Sequence, residues 1–231
     1  MIAPQIPFEL FEPEPPTLDN FLIGDNTEAV AHLRTLTRAA SGLSEQAITI
    51  WGGHAVGKTH LLRGVVESAN GSMFLSTAAL DTWPVDPFVD CELLAIDDAD
   101  RASELQQAWI FTAFNHIASQ GGTVVVAGGS PPFTWQTRDD LRTRLGSGMV
   151  FEIRAVLQDS LLPLLYDYAL QRGIRIDEQV LTYLLSHTKR DVAALCHAIN
   201  GIDRMSLAMK RPITIPLVRA FLAQESRQVQ A

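Results

Sequence analysis

The stretch Ala47-Ile48-Thr49-Ile50-Trp51-Gly52-Gly53-His54-Ala55-Val56-Gly57-Lys58-Thr59 constrains this chain more than any other. It reads as a buried β-strand, a glycine-rich loop and a helix start at Lys58-Thr59-His60-Leu61-Leu62. The spacing from Gly52 to Gly57-Lys58-Thr59 fits the GxxxxGK[ST] phosphate loop. Glycines let the backbone curl so that its N–H groups face a phosphate, beside the positive end of the following helix. Lys58 is then placed to reach terminal phosphates, and the Thr59 hydroxyl to ligate Mg²⁺. Taken alone this could be a glycine turn that precedes a lysine. The strand before, the helix after and an acidic strand downstream favour the phosphate reading.

Apolar strands alternate with helical patterns along the first two-thirds of the chain. The strands are expected at Ala47–Trp51, Met73–Ser76, Leu93–Asp97, Thr123–Gly128 and Met149–Ile153. The helices are expected from about Thr27 to Ala40 and at Thr59–Ala69, Ser103–Ser119 and Thr137–Leu145. That alternation predicts an α/β fold, a mostly parallel sheet with helices on both faces. Past Ile153 the strands stop. Helical patterns at Asp159–Gln171, Asp177–His187, Asp191–Met209 and Pro216–Gln224 predict a small all-α domain. The expected domains are an arm over 1–16, a nucleotide-binding domain over 17–154 and a helical lid over 155–231.

Composition narrows the function classes. The chain has 231 residues and a formal charge of −8, which argues against nonspecific binding of nucleic acid by the whole surface. No apolar run approaches the ~20 residues of a membrane helix, and the N-terminus lacks the basic and apolar regions of a leader. Cys91 and Cys196 read as small buried hydrophobes, which fits a cytoplasmic protein. Six histidines show no metal-binding spacing, and no G-x-S-x-G nucleophile elbow occurs. Trp51, Trp83, Trp109 and Trp135 read as packing residues.

Leu93-Leu94-Ala95-Ile96-Asp97-Asp98 carries the second chemical signal. An apolar strand ending in a carboxylate suits a Mg²⁺ ligand beside phosphates, which makes Asp97 the metal candidate. Asp98 stands where a general base could polarise water, or where an acidic loop simply follows a core strand. Arginines carry the third signal. Arg142 reads as a solvated side chain, whereas Arg144 and Arg190 are candidate cations for a γ-phosphate. In the N-terminal arm, Gln5-Ile6-Pro7-Phe8-Glu9-Leu10-Phe11 precedes a stiff acidic spacer, Glu12-Pro13-Glu14-Pro15-Pro16. Apolar side chains on such an arm imply a docking surface, on the chain itself or on a partner.

The phosphate loop, the Leu-Leu-Ala-Ile-Asp-Asp strand, Phe111-Thr112-Ala113-Phe114-Asn115 and the Arg144 segment resemble the AAA+ core of the DnaA family. The resemblance is strongest to the shorter, Hda-type branch, which regulates DnaA. Further matches are Asn20 to Asn26, Pro131-Pro132, Asp203-Arg204-Met205-Ser206-Leu207 and Arg211 to Pro216, so that nearly the whole chain is covered.

The resemblance implies roles. Gly52, Gly53, His54, Ala55, Val56, Gly57, Lys58 and Thr59, with His60 next to them, become the Walker A loop. Asp97 and Asp98 become the Walker B pair, Arg144 the arginine finger and Arg190 the sensor 2 of the lid. Leu22 and Ile23 are expected near an adenine. Gln5, Ile6, Phe8 and Leu10 resemble a peptide that grips the sliding clamp of DNA polymerase III, although Pro7 and Glu9 depart from its usual pattern. Gly129 stands where relatives carry a sensor-1 aspartate, leaving Ser130 as the neighbouring polar side chain. The expected cofactors are ADP or ATP with Mg²⁺. The expected partners are the ATP form of the DnaA initiator and the clamp, with DNA met only through the clamp and self-association left open. The implied function is a replication regulator that stimulates hydrolysis of DnaA-bound ATP by offering Arg144 in trans. The alternatives are a self-sufficient AAA+ ATPase of the initiator or loader type and a clamp-tethered adaptor in which nucleotide is structural.

Overall fold

The computed structural model describes residues 15–36, 46–82, 91–188 and 192–228. The chain divides after Ala155 into two compact units.

The first unit is built on a five-stranded sheet: β1 (Ala47–Trp51), β2 (Ser72–Ser76), β3 (Leu93–Asp97), β4 (Thr123–Gly128) and β5 (Met149–Glu152). All pairings are parallel and the order is β2-β3-β4-β1-β5. Parallel strands covered on both faces need continuous apolar runs, and β3 and β4 are buried at every position. Alternation then sorts the side chains. Leu93, Ala95, Val125 and Ala127 enter one core with Ile48 and Ile50, together with Leu33 of α1 (Thr27–Leu36) and Leu61 and Leu62 of α2 (Lys58–Ser68). Leu94, Ile96, Val124 and Val126 enter the other with Ile110, Phe114 and Ile117 of α3 (Glu104–Ser119) and Leu141 and Leu145 of α4 (Asp139–Ser147). The α/β fold is therefore the expected one, with layers on both faces.

Helix α4 begins later than the expected Thr137. The buried Gln107 of α3 explains the shift: its Nε2 donates to the carbonyls of Ala102 (2.8 Å) and Gln136 (3.2 Å), and its Oε1 accepts the Arg138 N–H at 3.0 Å. A side chain distant in sequence thus ties down residues 136 and 138, and Arg138 keeps a non-helical backbone (φ −53°, ψ 140°).

The second unit contains α5 (Gln158–Gln171), α6 (Glu178–His187), α7 (Val192–Met209) and α8 (Ile215–Gln228). Its core takes Leu165, Leu181, Leu184, Leu195, Ile199, Ile202, Val218 and Phe221, all but removed from solvent. Phe221 packs where a Cβ at Gly201 would lie only 2.4 Å from its ring, so a glycine in mid-helix permits that contact. No helix of the described residues is long and apolar enough to cross a membrane.

Candidate functional site

In a parallel sheet the carboxyl ends of all strands lie along one edge, where ligands of such folds bind. Here that edge gathers the ends of β1, β3 and β4. Gly52 leaves β1 by donating its N–H to Gly128 O at 3.2 Å, and a Cβ at Gly52 would stand 2.3 Å from Ile153 O. Only glycine fits so close a backbone. The loop then turns through positive φ at Ala55 (58°) and Gly57 (95°). Alternation of right- and left-handed residues points successive N–H groups inward, the nest geometry that binds anions. At Gly57 the space is also filled by Phe21, whose ring would sit 2.7 Å from a Cβ.

Lys58 opens α2 and folds back over the loop. Its Nζ donates to Gly52 O at 2.8 Å and Gly53 O at 2.7 Å, which leaves one of its three donors. Thr59 Oγ1 donates to Asp97 Oδ2 at 2.5 Å. Strand alternation explains why they meet, because Asp97 shares the face of Leu93 and Ala95, which is the face covered by α2. The second Asp97 oxygen accepts the Asp98 N–H at 3.0 Å, so this buried carboxylate is satisfied on both sides. Asp98 adopts a left-handed backbone (φ 55°) and its side chain is exposed.

Beyond β4, Asp100 Oδ2 accepts the Gly129 N–H at 2.8 Å, and a Cβ at Gly129 would lie 3.1 Å from that oxygen. A carboxylate from the loop after β3 therefore stands against the position where Gly129 has no side chain. Ser130 is engaged elsewhere, its Oγ accepting from Thr134 Oγ1 at 3.0 Å. Sequence reasoning gave Asp100 no role, since nothing in the linear order pairs it with Gly129.

The segment before α1 is latched to the loop helix. His60 Nε2 meets Thr17 O at 2.9 Å and its ring lies 5.5 Å from that of Phe21. Burial pushes the His60 pKa down, partly offset by the Thr17 carbonyl. The imidazole thus serves to pin this strap. Gly64 lets the strap approach, because a Cβ there would meet Leu18 N at 2.8 Å. Leu22 is buried, and Ile23, like Phe21, packs half-buried against the core that holds Leu33 and Leu61. Asn26, also missed from sequence, ties the strap to the end of β5: its Nδ2 donates to Arg154 O (3.0 Å) and its Oδ1 accepts the Arg154 N–H (2.8 Å). His54 is exposed on the loop.

Three arginines stand at α4. Arg138 pairs with Asp140 at 2.6 Å, and Arg142 pairs with Asp139. Arg144 is exposed and pairs with no carboxylate among the described residues. Its guanidinium lies over two rings of α3, 5.5 Å from Phe111 and 5.4 Å from Phe114. Gln5, Ile6, Phe8, Leu10 and Arg190 lie outside the described residues, as does Trp83.

Comparisons with known proteins fit this geometry. Residues 159–222 match the family model of the Hda lid domain. The chain resembles the crystal structure of domain III of the Thermotoga maritima replication initiation protein DnaA, with a TM-score of 0.67 and 18% identity over 92% of this chain and 98% of that one. The fold is that of DnaA domain III, and residues 159–222 are similar to the Hda lid. AMPPCP-bound DnaA from Aquifex aeolicus shares the fold at a TM-score of 0.63 and 21% identity, over 85% of this chain and 65% of that one. An uncharacterised protein of Haemophilus influenzae is 28% identical over 94% of this chain and 98% of its own length. The glycine nest, with Lys58, Thr59 and Asp97 beside it, has the chemistry to hold a polyphosphate.

Proposed function

We propose that this protein regulates replication initiation by binding an adenine nucleotide and presenting Arg144 to ATP held by a DnaA initiator. The observation that carries the reading is the division of labour at α4: two arginines are neutralised by neighbours, and the third is exposed, without a carboxylate partner among the described residues and steadied by two aromatic faces. A cation held that way suits an anion supplied by another molecule. An arginine delivered in trans to a γ-phosphate is worth 10³–10⁵ in rate in GTPase systems, so about that much stimulation can rest on one residue.

In the protein's own site the loop N–H groups and Lys58 would hold the phosphates, ADP or ATP, with Leu22 and Ile23 beside the base and Arg190 contributing from the lid. Thr59 and Asp97 would hold Mg²⁺, whose remaining ligands must come from phosphate and water, since no three-residue metal cluster occurs among the described residues. The bound ion supplies Lewis-acid neutralisation of the phosphates. Gln5, Ile6, Phe8 and Leu10 would tether the protein to the sliding clamp and raise its effective concentration near DnaA.

The test measures hydrolysis of DnaA-bound ATP with clamp and DNA present. Arg144→Ala is expected to abolish stimulation while ADP and ATP affinity stay unchanged. Undiminished stimulation would refute the finger assignment, and clamp binding that survives deletion of residues 1–11 would refute the tether.

A second reading, a self-sufficient ATPase, is favoured by one observation: Asp100 places a carboxylate beside Gly129. Appreciable ATP turnover by the purified protein alone, lost in both Asp98→Asn and Asp100→Asn, would select it over the first.

A further inference from the structure

The helical unit carries a groove of about 800 Å³ that the nucleotide reading does not use. It opens between the C-terminal ends of α5 and α7, on a floor made by the buried Ile174, Ile176 and Ile213. Its rim is apolar and exposed. Tyr166 and Leu170, one turn apart on α5, are 45% and 64% exposed, and Leu207 of α7 is 69% exposed. Three of the seven exposed large apolar side chains among the described residues therefore stand around one depression. Both helix ends are closed by backbone bonds, Ile174 N to Ala169 O at 2.9 Å and Arg211 N to Ser206 O at 3.0 Å, so the walls are fixed.

The charges around it are mostly positive, against a chain that is −8 overall. Arg175 lines the groove, and Lys210 and Arg211 occupy the turn between the lining residues Leu207 and Pro212. All three are exposed, and none pairs with a carboxylate among the described residues. The two carboxylates at the groove are Asp177 and Asp203, and Arg172 is the electrostatic neighbour of Asp203. Three cations without a carboxylate partner among the described residues, around an apolar floor, call for a ligand that is both apolar and acidic.

The chain holds such a segment outside the described residues. Residues 1–14 contain Ile6, Phe8, Leu10 and Phe11, three glutamates (Glu9, Glu12 and Glu14) and no Lys or Arg. We propose that the groove of the helical unit is the docking site of the chain's own N-terminal segment, its apolar side chains on the isoleucine floor and its glutamates against Arg175, Lys210 and Arg211. Where that segment also grips the sliding clamp, the groove and the clamp compete for it. This consequence rests on the clamp reading given above, whereas the docking does not.

A fluorescent peptide of residues 1–14 tests the proposal without clamp or DnaA, so its failure leaves the clamp reading untouched. The receptor is the full chain with Phe8→Ser, Leu10→Ser and Phe11→Ser, which removes internal competition. Saturable binding is expected, weakened about tenfold or more by Leu170→Ser with Leu207→Ser, and independently by Arg175→Glu with Lys210→Glu. Rising salt should weaken it as well, because exposed charges are screened. These positions are exposed, so the variants should melt with the parent, and either pair alone decides. Absence of saturable binding, or affinity unchanged in the folded variants, overturns the proposal. So does tighter binding of a peptide with its three glutamates changed to lysine, which would assign the groove to a basic partner instead.

Discussion

At Gly52 and His60 single atoms decide what the loop can do. A Cβ at position 52 would stand 2.3 Å from the Ile153 carbonyl, a backbone atom that cannot step aside. Gly52→Ala should therefore cost about 1–3 kcal/mol or more in thermal or denaturant unfolding, as overpacking does, and reduce nucleotide affinity. A cost below experimental error would show that the loop relaxes freely. His60 makes a pH prediction. Burial lowers its folded-state pKa below the unfolded value of about 6.5, so the unfolded chain binds more protons between the two values. The contribution is full above that unfolded value and is lost as pH falls through it toward the folded-state pKa. Stability measured across that window should drop on acidification, and His60→Gln should flatten this part of the profile. An unchanged slope would dissociate His60 from the effect.

Between elements, the α3–α4 pair sets the cation. Phe111 and Phe114 reach Arg144 because the core side of α3 packs on α4, and the Gln107 bonds fix where α4 begins. An exposed cation–π contact contributes about 0.5–1 kcal/mol, so Phe111→Ala should lower stimulation of DnaA-bound ATP hydrolysis about two- to fivefold with nucleotide affinity unchanged. That is far less than the loss expected for Arg144→Ala. Equal losses would mean that Phe111 touches the partner itself. The start of α3 offers a purely structural control. Ser103 and Gln106 form a reciprocal cap, with the Gln106 N–H on Ser103 Oγ at 3.3 Å and the Ser103 N–H on Gln106 Oε1 at 2.8 Å. Ser103→Ala should cost about 1 kcal/mol in unfolding and leave stimulation intact at temperatures where the variant is folded.

For the whole molecule, regulator and ATPase differ in where charge is placed. A regulator needs its cation facing outward and its own turnover low, which fits an exposed Arg144 and a missing side chain at Gly129. An ATPase needs a polar group aimed at its own water, which Asp100 could provide from β3's side of the sheet. Single-turnover and steady-state hydrolysis by the protein alone separate the two. The helical unit adds a second surface, apolar and basic, whose chemistry matches the acidic arm rather than the phosphate site.

Much of the molecule was written in local order. The strand-loop-helix of Ala47 to Leu62 declares itself because a phosphate nest needs glycines, a lysine and a hydroxyl at fixed spacing, and spacing is a property of sequence. The parallel sheet and its two faces follow from uninterrupted apolar runs alternating with helical periods, and the strand limits differ from expectation by a residue at most. Long-range partners are another matter. That Asp100 meets Gly129, that Gln107 delays α4, that Asn26 clasps Arg154 and that Arg144 rests on Phe111 while Arg142 is neutralised all depend on which chain segments become neighbours. Periodicity reports which face a residue shares; only the packed tertiary structure decides what waits on the other side of it.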